Sequence, residues 1–209
     1  MKTQMRFQKI LTLVTLILAA LTIVYAFIFF SGSLADISRS REAVLLGGTE
    51  LNDIHAENFY NKAQSLNNLI FTLGIVFVCI VATLYITATN KRRNYYITNY
   101  ISIGLVVCFA LVFAIIAFVL LTNCMNLFLN DIDWEAYRYR YDYNYVEGSG
   151  IPRQYPYYSK STAMFAIGYV LFAIVIVAAV VWVLNLVWKI KLMQGEKALL
   201  ENGLVKEVA

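Results

Sequence analysis

The side chains that could carry acid–base or metal chemistry are few and scattered. The single histidine, His55, lies between Asp53 and Glu57. A metal ion would need these three side chains on one surface, but residues two apart on a helix point in different directions. We therefore expect a surface histidine and no metal site.

Sequence motifs for catalysis are also missing. The chain contains no HExxH, GxSxG, Walker lysine loop or GxGxxG. Asp131, Asp133 and Glu135 follow a long apolar stretch, where the solvated end of a helix explains them. The sequence therefore predicts no catalytic residue, no cofactor and a non-enzymatic protein, with a membrane-embedded enzyme as the least favoured class.

The three cysteines do not form a disulfide pattern. Cys79 and Cys108 lie within apolar stretches, and Cys124 lies near the end of one. Tetraspanins, claudins and connexins carry cysteine-rich outer segments, which this chain lacks. We expect three buried thiols that act as small packing residues.

The elements that must position these residues are long and apolar. Of the 209 residues, 60% are hydrophobic and 14% are charged, against 45–50% and about 25% in soluble domains. Four blocks contain no charged residue: about 10–30, 69–89, 101–125 and 162–188. About 20 apolar residues cross a bilayer as a helix, since lipid offers the backbone no hydrogen bonds. The sequence predicts an all-α integral membrane protein, a four-transmembrane-helix bundle forming one membrane domain over 1–209.

The distribution of charge predicts the direction of these spans. Ten basic and three acidic residues flank the blocks at the N-terminus, in the 90–100 turn and in the tail 189–209. Segments 31–68 and 126–161 carry seven basic and ten acidic residues. Because basic residues beside spans stay cytoplasmic, we expect a multi-pass cell-membrane protein with both termini cytoplasmic and these two segments extracytoplasmic. The excess of basic charge indicates lipid contact rather than nucleic acid.

The first span has a second interpretation. A basic N-terminus, an apolar run and Ser33-Leu34-Ala35 also suit a cleaved signal peptide. The 21-residue run of 10–30 exceeds the usual 7–15 residues of a signal peptide, which favours a retained helix.

Two helices are expected to extend beyond the bilayer. Thr49 is a candidate N-cap, and apolar residues recur at helical spacing from Leu51 to Ile70, so the second helix should begin near residue 50. The same rhythm continues past Met125 to Ala136. The two extensions would form an extracytoplasmic stalk; the alternative is amphipathic segments lying on the membrane surface.

The stalk leads into a segment rich in tyrosine. Strict alternation with Arg, Asp and Asn predicts a strand, and a glycine-rich turn makes a β-hairpin cap possible. Exposed tyrosines are typical of binding surfaces. The candidate partner-binding residues are Tyr137, Tyr139, Tyr141, Tyr143, Tyr145, Tyr155, Tyr157 and Tyr158. The alternative is a cap folded onto the stalk or the lipid headgroups.

Polar and small residues inside the blocks are expected to pack helices together within the chain. The polar set comprises Thr12, Thr15, Thr22, Thr72, Thr83, Thr87, Asn123 and Asn185. The small-residue set comprises Gly104 with Cys108, Ala110 with Ala114, and Ala163 with Ile167 and Gly168. The blocks contain no acidic or basic residue, which argues against a secondary transporter. After Trp188 we expect a separate short helix lying on the inner leaflet.

These features favour an accessory or recognition subunit that binds a partner through its stalk and Tyr-rich loop. Besides the lipid bilayer, the expected partners are another membrane protein or further copies of the chain. An oligomeric pore or transport component is the alternative, because Thr and Asn can line a channel without charge.

Overall fold

The computed structural model describes residues 2–31, 54–88, 97–131 and 162–201. They form four α-helices: α1 (Lys2–Phe29), α2 (Ile54–Ala88), α3 (Ile97–Asn126) and α4 (Ala163–Glu201). A π-helical turn, Leu127–Asp131, follows α3 directly. No strand occurs in these four ranges. The all-helical prediction is confirmed there, and the Tyr-rich segment lies outside them.

Each of the four helices is long and apolar enough to cross a membrane. The qualifying stretches within the described residues are Thr3–Phe29, Asn58–Thr87, Ile97–Asn130 and Ala163–Leu199. Their mean hydropathy ranges from 2.5 to 3.2. This confirms the prediction of a multi-pass membrane protein by length and composition. The stretches in α1 and α4 exceed the uncharged blocks because the Lys, Arg, Gln and Glu residues beside these blocks are good helix formers and do not end a helix.

The polarity of the helix surfaces is the reverse of that in a soluble domain. Ile10 and Leu184 are each 63% exposed, whereas Gln8, Asn99 and Lys189 are fully buried. Soluble domains almost never bury lysine and keep their largest aliphatic side chains inside. Large aliphatic residues on the outside, with several polar residues buried inside an otherwise apolar core, suit a chain whose solvent is lipid.

The helix ends differ from the sequence expectations in detail. α2 begins at Ile54, close to the expected residue 50. The α-helical geometry of α3 ends at Asn126, and the chain continues as a π-helix to Asp131. Thr49 and residues 132–136 lie outside the described ranges, so the capping and the predicted extension to Ala136 stay predictions.

α4 does not stop at the edge of the apolar block. The sequence predicts a separate helix after Trp188, but α4 runs without a break from Ala163 to Glu201. Gly195 lies inside it, and a Cβ atom there would meet no other atom within 4 Å. One glycine costs a helix only about 1 kcal/mol relative to alanine, which the surrounding strong helix formers offset.

The chain divides into two compact units, each built from parts of all four helices. The first unit comprises Met1–Thr22, Leu73–Ile115 and Leu171–Ala209. Its apolar core contains a group of phenylalanine rings in which Phe113 lies edge-on to Phe77 and Phe172, at centroid distances of 6.2 and 5.2 Å.

The second unit comprises Ile23–Thr72 and Ile116–Val170. Its core is a chain of four rings. Phe165 contacts Phe29 at 5.6 Å and Phe128 at 5.5 Å, and Phe128 contacts Phe59 at 5.4 Å. Since Phe59 lies near the start of α2 and Phe128 follows the end of α3, these two helices run antiparallel in this unit.

Candidate functional site

A cluster of polar side chains is buried in the first unit. Gln4, Gln8, Asn99, Asn185 and Lys189 are each at most 1% exposed. Gln4 and Gln8 lie four residues apart on α1, and Asn185 and Lys189 lie four residues apart on α4. Residues with this spacing share one helix face, so each helix contributes one polar stripe to the cluster.

Hydrogen bonds join the members of this cluster across helices. Gln4 Nε2 donates to Gln8 Oε1 and to Asn185 Oδ1, both at 3.1 Å, and this second bond joins α1 to α4. Gln8 Nε2 donates to Asn99 Oδ1 at 3.0 Å and joins α1 to α3. Buried amides that satisfy one another in a low dielectric form strong, directional contacts. We call these five residues the amide–lysine cluster.

Asn99 is the residue where most of these contacts meet. Its Oδ1 accepts from Gln8 and also from Lys189 Nζ, at 2.5 Å. Its Nδ2 donates to Thr87 Oγ1 at 3.0 Å, and this hydroxyl donates to the Leu84 carbonyl at 2.8 Å. Asn99 therefore connects α3 with α1, α2 and α4 through one side chain.

The sequence predicts Lys189 as one of the basic residues that follow the fourth span. Its side chain is fully buried among the helices. Nζ lies 4.4 Å from the centroid of the Tyr100 ring, an arrangement typical of a cation–π contact. The Tyr100 hydroxyl in turn donates to Met193 Sδ. The sequence thus predicted the absence of charge in block 162–188 and missed the lysine that follows it inside the packed helices.

Two polar atoms of the cluster lack a partner in the described part of the chain. They are Gln4 Oε1, an acceptor, and Asn185 Nδ2, a donor. A buried unpaired polar group costs about 1–3 kcal/mol. The cluster is therefore held together by its bonds to Asn99 and between the amides, and it is not fully satisfied.

The polar residues predicted inside the spans divide into two groups. Thr12, Thr15, Thr22 and Asn185 are buried, as packing within the chain requires. Trp182 Nε1 donates to Thr15 Oγ1 at 2.9 Å, and this hydroxyl donates to the Leu11 carbonyl. The other group is exposed or half-buried and consists of Thr72, Thr83, Thr87 and Asn123.

The predicted small-residue contacts divide in the same way. Gly168 is packed tightly, because a Cβ atom there would lie 2.8 Å from Tyr25 Cζ and 3.0 Å from Leu121 Cδ1. Gly104 faces open space, since a Cβ atom there would have no neighbour within 4 Å. Cys79 and Cys108 are exposed and only Cys124 is buried, so the expectation of three buried thiols is wrong for two.

A cleft lies between α2 and the end of α3 in the second unit. Its volume is about 690 Å³, within the usual range of 300–1,000 Å³ for ligand pockets. It is lined by Asn61, Lys62, Ser65, Leu66, Leu69, Leu120, Asn123, Cys124, Asn126, Leu127 and Asn130. We call it the asparagine cleft, because four asparagines line it. Among these residues, the sequence patterns include Leu66, Asn123 and Cys124.

The eight tyrosines predicted to bind a partner lie outside the described residues. Within the described ranges no group of three or more His, Cys, Asp or Glu side chains could hold a metal ion. The amide–lysine cluster and the asparagine cleft are thus the two polar features on which a function can be argued.

No model of a known protein family, no curated protein and no solved structure matches this chain. The function must therefore be inferred from the geometry of these two features.

Sequence reasoning missed the amide–lysine cluster although part of its pattern is visible. Gln4 and Gln8 lie close to Arg6 and Lys9 in the sequence. Polar residues are expected in this segment before the first span, so the two glutamines do not stand out. The spacing of Gln4 with Gln8 and of Asn185 with Lys189 was the available signal, since each pair marks one helix face. Nothing local shows that the two stripes meet.

Proposed function

We propose that the protein is a non-enzymatic accessory membrane protein that recognises a membrane-borne partner at the outer ends of α2 and α3. The observation that supports this most is the asparagine cleft. Asn61, Ser65, Asn123, Asn126 and Asn130 are exposed polar side chains on two apolar helices. Amides in this position offer donors and acceptors that helix packing in the second unit does not use.

The orientation is part of the proposal. The excess of basic residues at both chain ends and in the 90–100 turn supports cytoplasmic termini in the cell membrane. The start of α2 and the end of α3 would then face outward and form the base of the stalk, with the Phe59–Phe128 contact between them. The Tyr-rich loop would continue from this base and add to the recognition surface.

An oligomeric pore is the less favoured function. It needs polar side chains on a face that other copies of the chain can share. Thr12, Thr15 and Asn185 are instead buried within the first unit and bonded to other groups of the same chain. Their use in internal packing supports recognition over conduction.

Site-specific photo-crosslinking tests the proposed function. A photoreactive amino acid at Ser65 or Asn126, both in the cleft, should give a discrete adduct with a protein or a lipid in intact membranes. Position 115, an isoleucine 57% exposed on α3, is the matched control outside the cleft. Adducts of equal yield and the same diffuse pattern at all three positions would show that the cleft recognises nothing.

The orientation has its own test. In a variant without native cysteines, Ser33→Cys should react with a membrane-impermeant maleimide on intact cells, whereas Arg92→Cys should react only after permeabilisation. Labelling of residue 92 from outside would reverse the assignment of the cleft to the outer surface.

A further inference from the structure

Along α2, the lining of the asparagine cleft changes from polar to apolar. At one end lie Asn61 and Lys62, about two turns after the start of α2, and Asn130 in the π-helical turn. At the other end lie Leu69 and Leu120. Eight residues separate Asn61 from Leu69, or about 12 Å along a helix. The polar end is the one nearer the helix ends, and the apolar end lies deeper in the spans.

The cleft carries a basic side chain. Among the lining residues in the described part of the chain, Lys62 is charged and none is acidic. Lys62 is exposed, and Asn61, Ser65 and Asn126 near it are exposed as well. An ammonium group with amide donors around it suits an anionic group that presents several oxygen acceptors, such as a phosphate.

The apolar end suits a hydrocarbon chain. Leu69 and Leu120 are half-buried, so their side chains line the cleft without closing it. Leu66 and Cys124 are buried and form its floor. A ligand that fills the cleft must therefore have a charged end and an apolar end in the same order as the lining.

We infer that the asparagine cleft binds a glycerophospholipid with an anionic headgroup. Lys62 and the asparagines at the polar end hold the phosphate, and one acyl chain lies along Leu69 and Leu120. This inference rests on the proposed function and names the partner class for that site. With a volume of about 690 Å³, the cleft takes the phosphate, the glycerol and the first part of one chain, and the rest of the lipid stays in the bilayer.

The full chain in nanodiscs tests this inference. The probe is phosphatidylglycerol with a diazirine on one acyl chain, and the measurement is the yield of adducts mapped by mass spectrometry. We expect adducts near Leu69 and Leu120, and we expect unlabelled phosphatidylglycerol to compete better than phosphatidylcholine. Lys62→Gln should lower the apparent affinity about tenfold, the equivalent of about 1.4 kcal/mol for one charge-assisted contact.

Lys191→Gln is the matched control, because Lys191 is exposed on α4 in the first unit. It should leave the adduct yield unchanged. Ser65→Phe places a bulky ring in the cleft at an exposed position, so it should block the adducts without disturbing the core. Equal labelling of the wild type, Lys62→Gln and Ser65→Phe would overturn the inference, as would equal competition by the two lipids.

Comparing the lipid probe with the photoreactive residue at position 65 separates failure of this inference from failure of the proposed function. If phosphatidylglycerol is not selected but the photoreactive residue at Ser65 still yields a discrete protein adduct, the cleft recognises a protein segment. The lipid assignment is then wrong and the recognition function stands. If neither probe gives a specific adduct, both are wrong.

Discussion

Phenylalanine rings pack in the core of both units, but the units differ in the other contacts that connect their helices. In the first unit these are hydrogen bonds between amides and Lys189, with Asn99 at their centre. In the second unit the close approach of Tyr25 to Gly168 adds to the chain of rings. Since lipid provides no hydrophobic driving force between helices, packing and polar contacts are the two means available.

The difference has a consequence for what each unit can tolerate. Removing one partner of a buried hydrogen bond lowers stability, because the other partner stays buried without a bond. Adding an atom at a close-packed contact lowers stability, because the neighbouring side chains must shift to make room. The first unit should therefore be sensitive to deletion of polar groups, and the second unit to added volume.

The largest effect is expected from Asn99→Leu. This change removes the acceptor of two buried donors, Gln8 Nε2 and Lys189 Nζ, and the donor to Thr87. We expect a loss of about 3 kcal/mol in the free energy of unfolding, because it breaks a buried contact of an ammonium group. Unfolding by denaturing detergent in mixed micelles measures it.

Asn68→Leu is the matched control, since Asn68 is exposed on α2. It should change the stability by less than about 0.5 kcal/mol, the usual size for surface substitutions. Similar losses for the two variants would mean that the amide–lysine cluster does not stabilise the first unit.

Gly168→Ala is expected to have the next largest effect. The new methyl group would lie 2.8 Å from Tyr25 Cζ and 3.0 Å from Leu121 Cδ1. Tyr25 cannot withdraw without breaking the bond from its hydroxyl to the Met164 carbonyl, at 3.0 Å. Overpacking of this kind costs about 2 kcal/mol, measurable by the same unfolding assay.

Gly104→Ala provides the comparison, because its methyl group meets no atom within 4 Å. Alanine is the better helix former, so this variant should be neutral or more stable. If Gly168→Ala were also neutral, the second unit would not depend on the close approach at this glycine.

The features of the fold that depend on short segments of the chain can be predicted from the sequence. Four uncharged blocks are sufficient to predict four helices, and the apolar rhythm from Leu51 places the start of α2 within four residues of Ile54. Helix ends were less predictable. An apolar block marks the part of a helix that suits the hydrocarbon core of a membrane, but it does not mark where the helix ends. α4 continues to Glu201 because the polar residues after the block also favour helix.

The amide–lysine cluster could not be predicted because it joins distant parts of the chain. The bond between Gln4 and Asn185 spans 181 residues, and that between Lys189 and Asn99 spans 90. A lysine after an apolar block is ordinarily a sign of the cytoplasmic surface. The rotation of α4 about its axis decides whether Lys189 faces inward, and the sequence does not reveal this rotation. The same holds for α3, where Gly104 and Cys108 were expected to pack against another helix but face outward.

Thr15→Val tests a single polar contact in the first unit. The change removes the acceptor of the buried Trp182 N–H group, 2.9 Å away, and keeps the volume of the side chain. We expect a loss of about 1 kcal/mol, within the range measured for interhelical hydrogen bonds in membranes. Thr83→Val is the control: this exposed hydroxyl bonds only within its own helix, to the Cys79 carbonyl. A loss shared equally by both variants would show a general cost of valine in these helices.

Thr122→Val is the corresponding test in the second unit and should have the smallest effect. Thr122 Oγ1 donates to the Phe118 carbonyl at 2.8 Å, so the 3.0 Å contact with Tyr169 Oη is a bond donated by the tyrosine. This bond is exposed, and the Tyr169 ring is also stacked on Phe118 at 5.5 Å. Since ring packing persists without the hydroxyl, we expect a loss of about 0.5 kcal/mol or less. If Thr122→Val lost as much free energy of unfolding as Thr15→Val, polar contacts would stabilise both units equally. The proposed difference between the two units would then be wrong.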